Sequence, residues 1–296
     1  MFKLKLTLWW LAADWPGLWV GFTSIQGASP FDAVQPKGVI MRVIYATYAA
    51  MAYLVFLGSF LYAIAFVGNI PWVPKTIDSG LAGPVVPALI ANLLVLGAFA
   101  IQHSVMARPA FKRWWGQFIP QPMERSTYVL LASLLLILLF VVWQPLPQAI
   151  WTVENPIGKA LLTGLYWVGW LTVLCSTFMI NHFELFGLKQ AIARHVAATT
   201  PPSLTTRYLY QFVRHPIMLG FIIAFWSTPV MSQGHLLFAV MTTAYIFIGI
   251  ALEEHDMAAV FGGAYRAYRD RVPMILPFKL GKRKDTSSSS TRYADK

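Results

Sequence analysis

The chain is 296 residues long, 57% hydrophobic and only 12% charged. A soluble domain carries about 25% charged residues. Half of that is too little to cover an aqueous surface, and a 15% aromatic share excludes a disordered chain. The 23 Lys and Arg exceed the 12 Asp and Glu by 11, a balance that fits a membrane chain with basic loops better than a nucleic-acid binder.

Residues 1–40 read as an N-terminal extension. The segment 6–20 is apolar and rich in tryptophan (Trp9, Trp10, Trp15, Trp19), but Asp14, Pro16 and Gly17 interrupt it. It lacks a small-residue cleavage site where a signal peptide needs one, so an interfacial segment is expected instead. Met41 and Arg42 read as the start of the core, and 41–278 as one transmembrane domain.

Long uncharged windows then follow, as expected where an unpaired charge at mid-bilayer costs several kcal/mol. The first apolar run is 43–67. The second lies between Asp78 and Arg108, with a helix starting near Pro84. The third has its core at 128–143 and is ended by Pro145 and Pro147. The fourth, 160–180, closes on Asn181-His182-Phe183-Glu184.

The fifth window, from His215 to Leu252, holds no Asp, Glu, Lys or Arg, and Ser227-Thr228-Pro229 with Ser232-Gln233-Gly234 breaks it. One helix of that length overshoots a bilayer about 30 Å thick. A hairpin fits, with arms at 216–227 and 235–252, the first short and partly buried in protein. The fold expected is therefore an all-α integral membrane protein of about six transmembrane helices with a C-terminal helical hairpin. Residues 279–296, with Ser287–Ser290, read as a basic, Ser-rich disordered tail.

Basic residues set the sidedness. Arg108, Lys112, Arg113 and Arg125 follow the second helix, and Lys189, Arg194, Arg207 and Arg214 follow the fourth. Arg266, Arg269, Arg271, Lys279, Lys282, Arg283 and Lys284 follow the sixth, while the alternate loops carry only Lys75 and Lys159, balanced by Asp78 and Glu154. The positive-inside rule places both termini in the cytoplasm.

Polar residues that lipid would not tolerate concentrate beyond residue 181. In Tyr210-Gln211-Phe212-Val213-Arg214-His215-Pro216-Ile217-Met218-Leu219-Gly220, Pro216 suits a first helical position. A guanidinium and an imidazole therefore stand beside free backbone amides, which suits a carboxylate or phosphate. The bland alternative is a basic membrane anchor. Glu253-Glu254-His255-Asp256, directly after the sixth helix, either pairs with Arg214 and Arg266 or holds a cationic ligand. Acid beside base suits a zwitterion. Tyr265, Tyr268, Arg269 and Arg271 predict a short amphipathic helix pressing its aromatic side on this site.

The pattern Arg-His-Pro-x-x-x-Gly, a hairpin, Glu-Glu, Phe-Gly-x-x-Tyr-x-x-Tyr and Val-Pro-x-x-x-Pro resembles the isoprenylcysteine carboxyl methyltransferase superfamily. Met218, where many members carry an aromatic residue, narrows the resemblance to the bacterial methanethiol S-methyltransferases. So do Phe225-Trp226-x-Thr228-Pro229, Gly234-His235-Leu236-Leu237-Phe238 and the run from Thr177 to Leu188. His103-Ser104-Val105-Met106-Ala107-Arg108-Pro109 and Glu124-Arg125-Ser126-Thr127-Tyr128 agree as well.

That resemblance implies methyl transfer from S-adenosylmethionine to methanethiol or another small thiol, giving dimethyl sulfide, at a cytoplasmic cofactor site. It carries cofactor binding onto Tyr210, Arg214, His215, Pro216, Met218, Gly220, Glu253, Glu254, Tyr265 and Tyr268. Arg214 and the start at Pro216 would take the donor's carboxylate, Glu253 or Glu254 its ammonium. His182 is the first candidate base, with His215 and Asp256 as alternatives, and Arg214 is counted with them among the catalytic residues.

Three other readings stand beside this one. An isoprenylated cysteine or a lipid amine is a rival acceptor. A sterol reductase would need a site for NADPH, of which the sequence has no signature. A non-enzymatic membrane protein or transporter would be favoured by charges inside the spans, and these have essentially none. No metal site is expected, since His-x-Glu alone is too sparse. Cys175 reads as a packing residue within the fourth span, and His103 and Arg108 as caps of the second helix.

Overall fold

The computed structural model describes residues 36–192 and 204–277. The Trp-rich segment 6–20, Arg194 and the tail from residue 279 lie outside the described residues.

Four long helices come first: α1 (Pro36–Val67), α2 (Val85–Ala107), α4 (Gln121–Val142) and α5 (Pro156–Ile180), with the short α3 (Pro109–Trp115) between the second and third. Proline sets several boundaries. Pro84 precedes α2, Pro109 opens α3, and Pro156 opens α5 behind Asn155, whose side chain accepts from the amides of Ile157 and Gly158. Two short helices, α6 (His182–Leu185) and α7 (Leu188–Ile192), follow Asn181. After a 3-10 turn at Tyr208–Gln211 come α8 (Pro216–Trp226), α9 (Gln233–Phe261) and α10 (Gly263–Arg271).

Five of these helices, α1, α2, α4, α5 and α9, are long and apolar enough to cross a membrane. The expected hairpin is formed by α8 and α9, and its first arm is the short one. Its 11 residues rise only about 16 Å. Instead of facing lipid all round, α8 packs along α5. The contact is made at Gly169 and Gly220, where a Cβ on either glycine would lie 2.7 Å from the other's carbonyl oxygen.

Two features differ from the sequence expectation. The hairpin turn contains a strand, β2 (Val230–Ser232), paired antiparallel with β1 (Ala149–Thr152) from the loop after α4. Ser232 then caps α9, its hydroxyl accepting from His235 N at 2.9 Å. More consequentially, Glu253, Glu254, His255 and Asp256 do not follow the sixth helix but lie within it. Carboxylates and histidine are compatible with helix, and no breaker occurs before Gly262, whose φ of 54° ends α9. The 29 residues of α9 rise about 43 Å, so its last turns project beyond a hydrocarbon layer about 30 Å thick.

The core holds the bundle together at the opposite end from these carboxylates. Phe66, Leu139, Phe140, Trp143, Trp170, Ala224, Phe225 and Phe238 form one buried cluster. Trp143 Nε1 donates to Ile77 O at 3.0 Å, and beside the cluster the Asn92 amide pairs with the Gln144 backbone, whereas the Trp170 indole N–H has no partner among the described residues.

Candidate functional site

The carboxylate-bearing end of α9 meets the start of α8 and the amphipathic α10. His215 precedes Pro216 at the N-terminus of α8 without a side-chain cap. Pro216 has no N–H and Leu219 N already donates to His215 O, so Ile217 and Met218 carry the unpaired first-turn amides. Arg214 and His215 are fixed by the segment beyond α10, where their amides donate to Pro273 O (2.9 Å) and Met274 O (3.1 Å).

Side chains converge there. Arg214 Nε and Nη2 approach Glu254 Oε1 at 2.8 and 2.6 Å, and Nη1 donates to the carbonyls of Arg269 (3.1 Å) and Val272 (2.6 Å). Four of the five guanidinium N–H groups are thereby used, leaving one on Nη2. His215 Nε2 lies 3.0 Å from the same Glu254 oxygen. Glu254 thus pairs with Arg214, the pairing that was the alternative to a cationic ligand for the acidic run, and with His215 as well. Arg266 has no part in this pairing.

Glu253 is left over. It is half exposed, and its nearest basic group is His215 Nδ1 at 3.6 Å. A carboxylate so placed keeps most of its acceptor capacity for a cation. Beside it, α10 turns Tyr265 and Tyr268 inward, and both are buried. Tyr268 donates to Tyr210 O at 2.7 Å. The Tyr265 hydroxyl is buried with no partner among the described residues, and burial, aided by the neighbouring Glu254 charge, pushes its pKa up to about 12. An orphaned donor, an underused carboxylate and free helix amides in one place fit a zwitterionic ligand with a polar group near Tyr265.

The other candidates fall elsewhere. Asp256 leaves this cluster and pairs with Arg108 at the end of α2, 3.0 Å away, with its side chain half exposed. Met218 and Gly220 lie within the first turns of α8. Met218 packs on Ile246, Ile250 and Ile275, and Gly220 faces α5, not the cluster.

His182 occupies a site of its own. Asn181, at φ 159°, caps α6 through its side chain and turns the imidazole inward. Thr177 Oγ1 donates to Leu174 O at 2.7 Å and lies 2.9 Å from His182 Nδ1. Having spent its only proton, that hydroxyl accepts from Nδ1–H. Nε2 is then an acceptor, and Tyr53 O–H donates to it at 2.8 Å. The ring stacks on Phe178 at 4.3 Å, and burial lowers its pKa below the ordinary 6.5. Phe178 also lines an open apolar cavity of about 450 Å³ with Leu174, Cys175, Met179 and Tyr208.

Tyr53 and the carbonyls of Arg269 and Val272 had no sequence signal. Thr177, at the head of the motif running to Leu188, had a weak one. Among the described residues, no group of three or more metal-ligating side chains comes together.

Three comparisons bear on this geometry. A methanethiol S-methyltransferase of Mycobacterium tuberculosis is 52% identical over 238 residues, covering 80% of this chain and 97% of that protein. Methanethiol S-methyltransferase 1 of Bradyrhizobium diazoefficiens is 54% identical over 242 residues, 81% and 84% of the two chains. Bovine nurim is more distant, 27% identical over 198 residues, 63% of this chain and 72% of that protein. No family model matches the chain, and no solved structure does so.

Proposed function

The chain belongs to the methanethiol S-methyltransferase family, and on that premise we propose that it methylates methanethiol from S-adenosylmethionine, releasing dimethyl sulfide. The observation that carries the reading is the juxtaposition of Arg214, His215 and the α8 amides with Glu253 and Tyr265. Acid and base groups there answer the two ends of an amino acid. When bound, S-adenosylmethionine supplies an electrophilic methyl group on a cationic sulfonium.

The chain's own residues divide the work. The amides of Ile217 and Met218, with the remaining Nη2 proton of Arg214, offer donors to a carboxylate. Glu253 offers acceptors to an ammonium. Glu254 does not face the ligand in this reading. It positions Arg214 and His215 by holding both on one oxygen. Tyr265 supplies its unpaired hydroxyl, and Tyr210 and Tyr268 fix the aromatic wall through their mutual bond.

Thiolate is the nucleophile, so the thiol proton must leave. His182 is the acceptor, and its basic Nε2 is reached through Tyr53. A thiol that donates to the Tyr53 oxygen passes its proton there while the tyrosine proton moves to Nε2. Desolvation keeps the imidazole neutral and ready to accept. Residues 41–278 form the catalytic domain in this reading, in the bacterial inner membrane with both termini and the cofactor site cytoplasmic.

The test is direct. Protein purified in detergent is mixed with S-adenosylmethionine and methanethiol, and headspace dimethyl sulfide is compared with an enzyme-free control. Product supports the reading. Cofactor binding without product transfers it to a prenyl or lipid acceptor, and no cofactor binding removes the methyltransferase reading altogether.

A further inference from the structure

A second basic site lies away from the Arg214 cluster, where the end of α2, the short α3 and the start of α4 enclose a cavity of about 250 Å³. Its walls are Met106, Phe111 and Leu185 on the apolar side and Lys112, Glu124 and Arg125 on the polar side. Met106, Glu124 and Arg125 belong to two segments, 103–109 and 124–128, that the proposed reaction does not use.

The charges in this cavity are not balanced internally. Arg108, at the end of α2, is taken by Asp256. Neither Lys112 nor Arg125 pairs with a carboxylate among the described residues. Glu124 sits in the first turn of α4, where the helix end itself stabilises its charge. Two cations and one carboxylate leave a single positive charge in the lining. Trp115, also in the wall, has a buried indole N–H with no acceptor among the described residues. A buried donor without a partner is costly, so the cavity lacks an acceptor as well as an anion.

We propose that this cavity binds the phosphodiester of an anionic phospholipid, held by Lys112, Arg125 and the Trp115 indole N–H. A phosphodiester carries one negative charge, matching the one positive charge of the walls, and its oxygens accept hydrogen bonds. The depth is right for a lipid head group. Phe111 stacks on Trp115 at 5.5 Å, while Trp114 and Phe118 project outward, 51% and 64% exposed, as aromatic side chains do at the membrane interface. Below the cavity, α2 offers Ile101 and Val105 as exposed apolar surface for acyl chains. A free phosphate would use the polar wall alone and leave the apolar one without a role.

The full-length chain, purified in detergent and delipidated, is titrated with phosphatidylglycerol, phosphatidylcholine and inorganic phosphate, with bound lipid read by native mass spectrometry. Phosphatidylglycerol should bind in preference to phosphatidylcholine. Lys112→Gln and Arg125→Gln should each weaken it about fivefold, Trp115→Phe should weaken it measurably, and Lys159→Gln in α5 should not. Lys112 is exposed at the surface, so Lys112→Gln keeps the test valid if Arg125→Gln fails to fold. Equal phosphatidylglycerol retention by the wild type and Lys112→Gln would overturn the proposal. So would binding of inorganic phosphate without the lipid.

Discussion

Arg214 and Glu254 stand 40 residues apart and meet at 2.6 Å, joining the start of α8 to the far end of α9. Their side chains are 9% and 15% exposed, so each charge depends on the other. Removing one partner of a buried pair leaves an uncompensated charge and costs about 3–5 kcal/mol. Glu254→Ala should therefore lower the melting temperature in detergent and abolish S-adenosylmethionine binding together. Glu253→Gln should keep the melting temperature and lose cofactor affinity. If Glu253→Gln binds cofactor as the wild type does, Glu253 does not take the ammonium.

The meeting of these side chains was legible because they sit in short local patterns. Arg214-His215-Pro216 announces a helix start, and the tyrosines of α10 recur at a helical spacing. The continuation of α9 through Glu253–Asp256 was not legible, since a run of charge after an apolar stretch looks like a membrane exit whether or not the helix ends there. Pairings over long separations were also hidden. Nothing near Tyr53 in sequence points to His182, which is 129 residues away, and β1 lies in a loop whose prolines and glutamines suggest no strand.

Asp256 illustrates the cost of reading the acidic run as one unit. One helix carries all its members, yet it turns Glu254 to Arg214 and Asp256 to Arg108. The Arg108–Asp256 pair is half exposed on its acidic side, and such pairs contribute about 0–1 kcal/mol. Asp256→Asn should leave both turnover and melting temperature close to wild type. A large loss of turnover with unchanged stability would restore Asp256 as a proton acceptor.

The His182–Tyr53 contact predicts a separation of binding from turnover. Tyr53→Phe and His182→Gln should each lower the rate of dimethyl sulfide formation while leaving the cofactor dissociation constant unchanged. The pH dependence has a definite sign. Burial depresses the folded pKa of His182 below 6.5, so the unfolded chain binds the proton more readily. The stabilising contribution of neutral His182 is complete above pH 6.5 and is lost as pH falls through the folded value. The melting-temperature difference between wild type and His182→Gln should accordingly be constant above pH 6.5 and shrink in acid. A difference that grew in acid would mean that the imidazole is held protonated.

Gly169 and Gly220 place the whole arrangement, because the α5–α8 contact they permit sets where Pro216, and with it Arg214, begins. A Cβ at Gly169 would lie 2.6 Å from Ala224 N, and one at Gly220 would lie 2.8 Å from the Val173 Cγ2 methyl and 2.9 Å from Val173 N. Backbone atoms cannot rotate away as side chains do, so the two helices must separate, at a cost of about 1–3 kcal/mol or more. Gly169→Ala and Gly220→Ala should both lower the melting temperature and weaken cofactor binding, although neither residue touches the Arg214 cluster. Gly249→Ala in α9 is the control. A Cβ there meets nothing within 4 Å, and replacing glycine in a helix interior gains roughly 0.5–1 kcal/mol. Wild-type stability in Gly169→Ala would show that α8 is not seated on α5 through this contact.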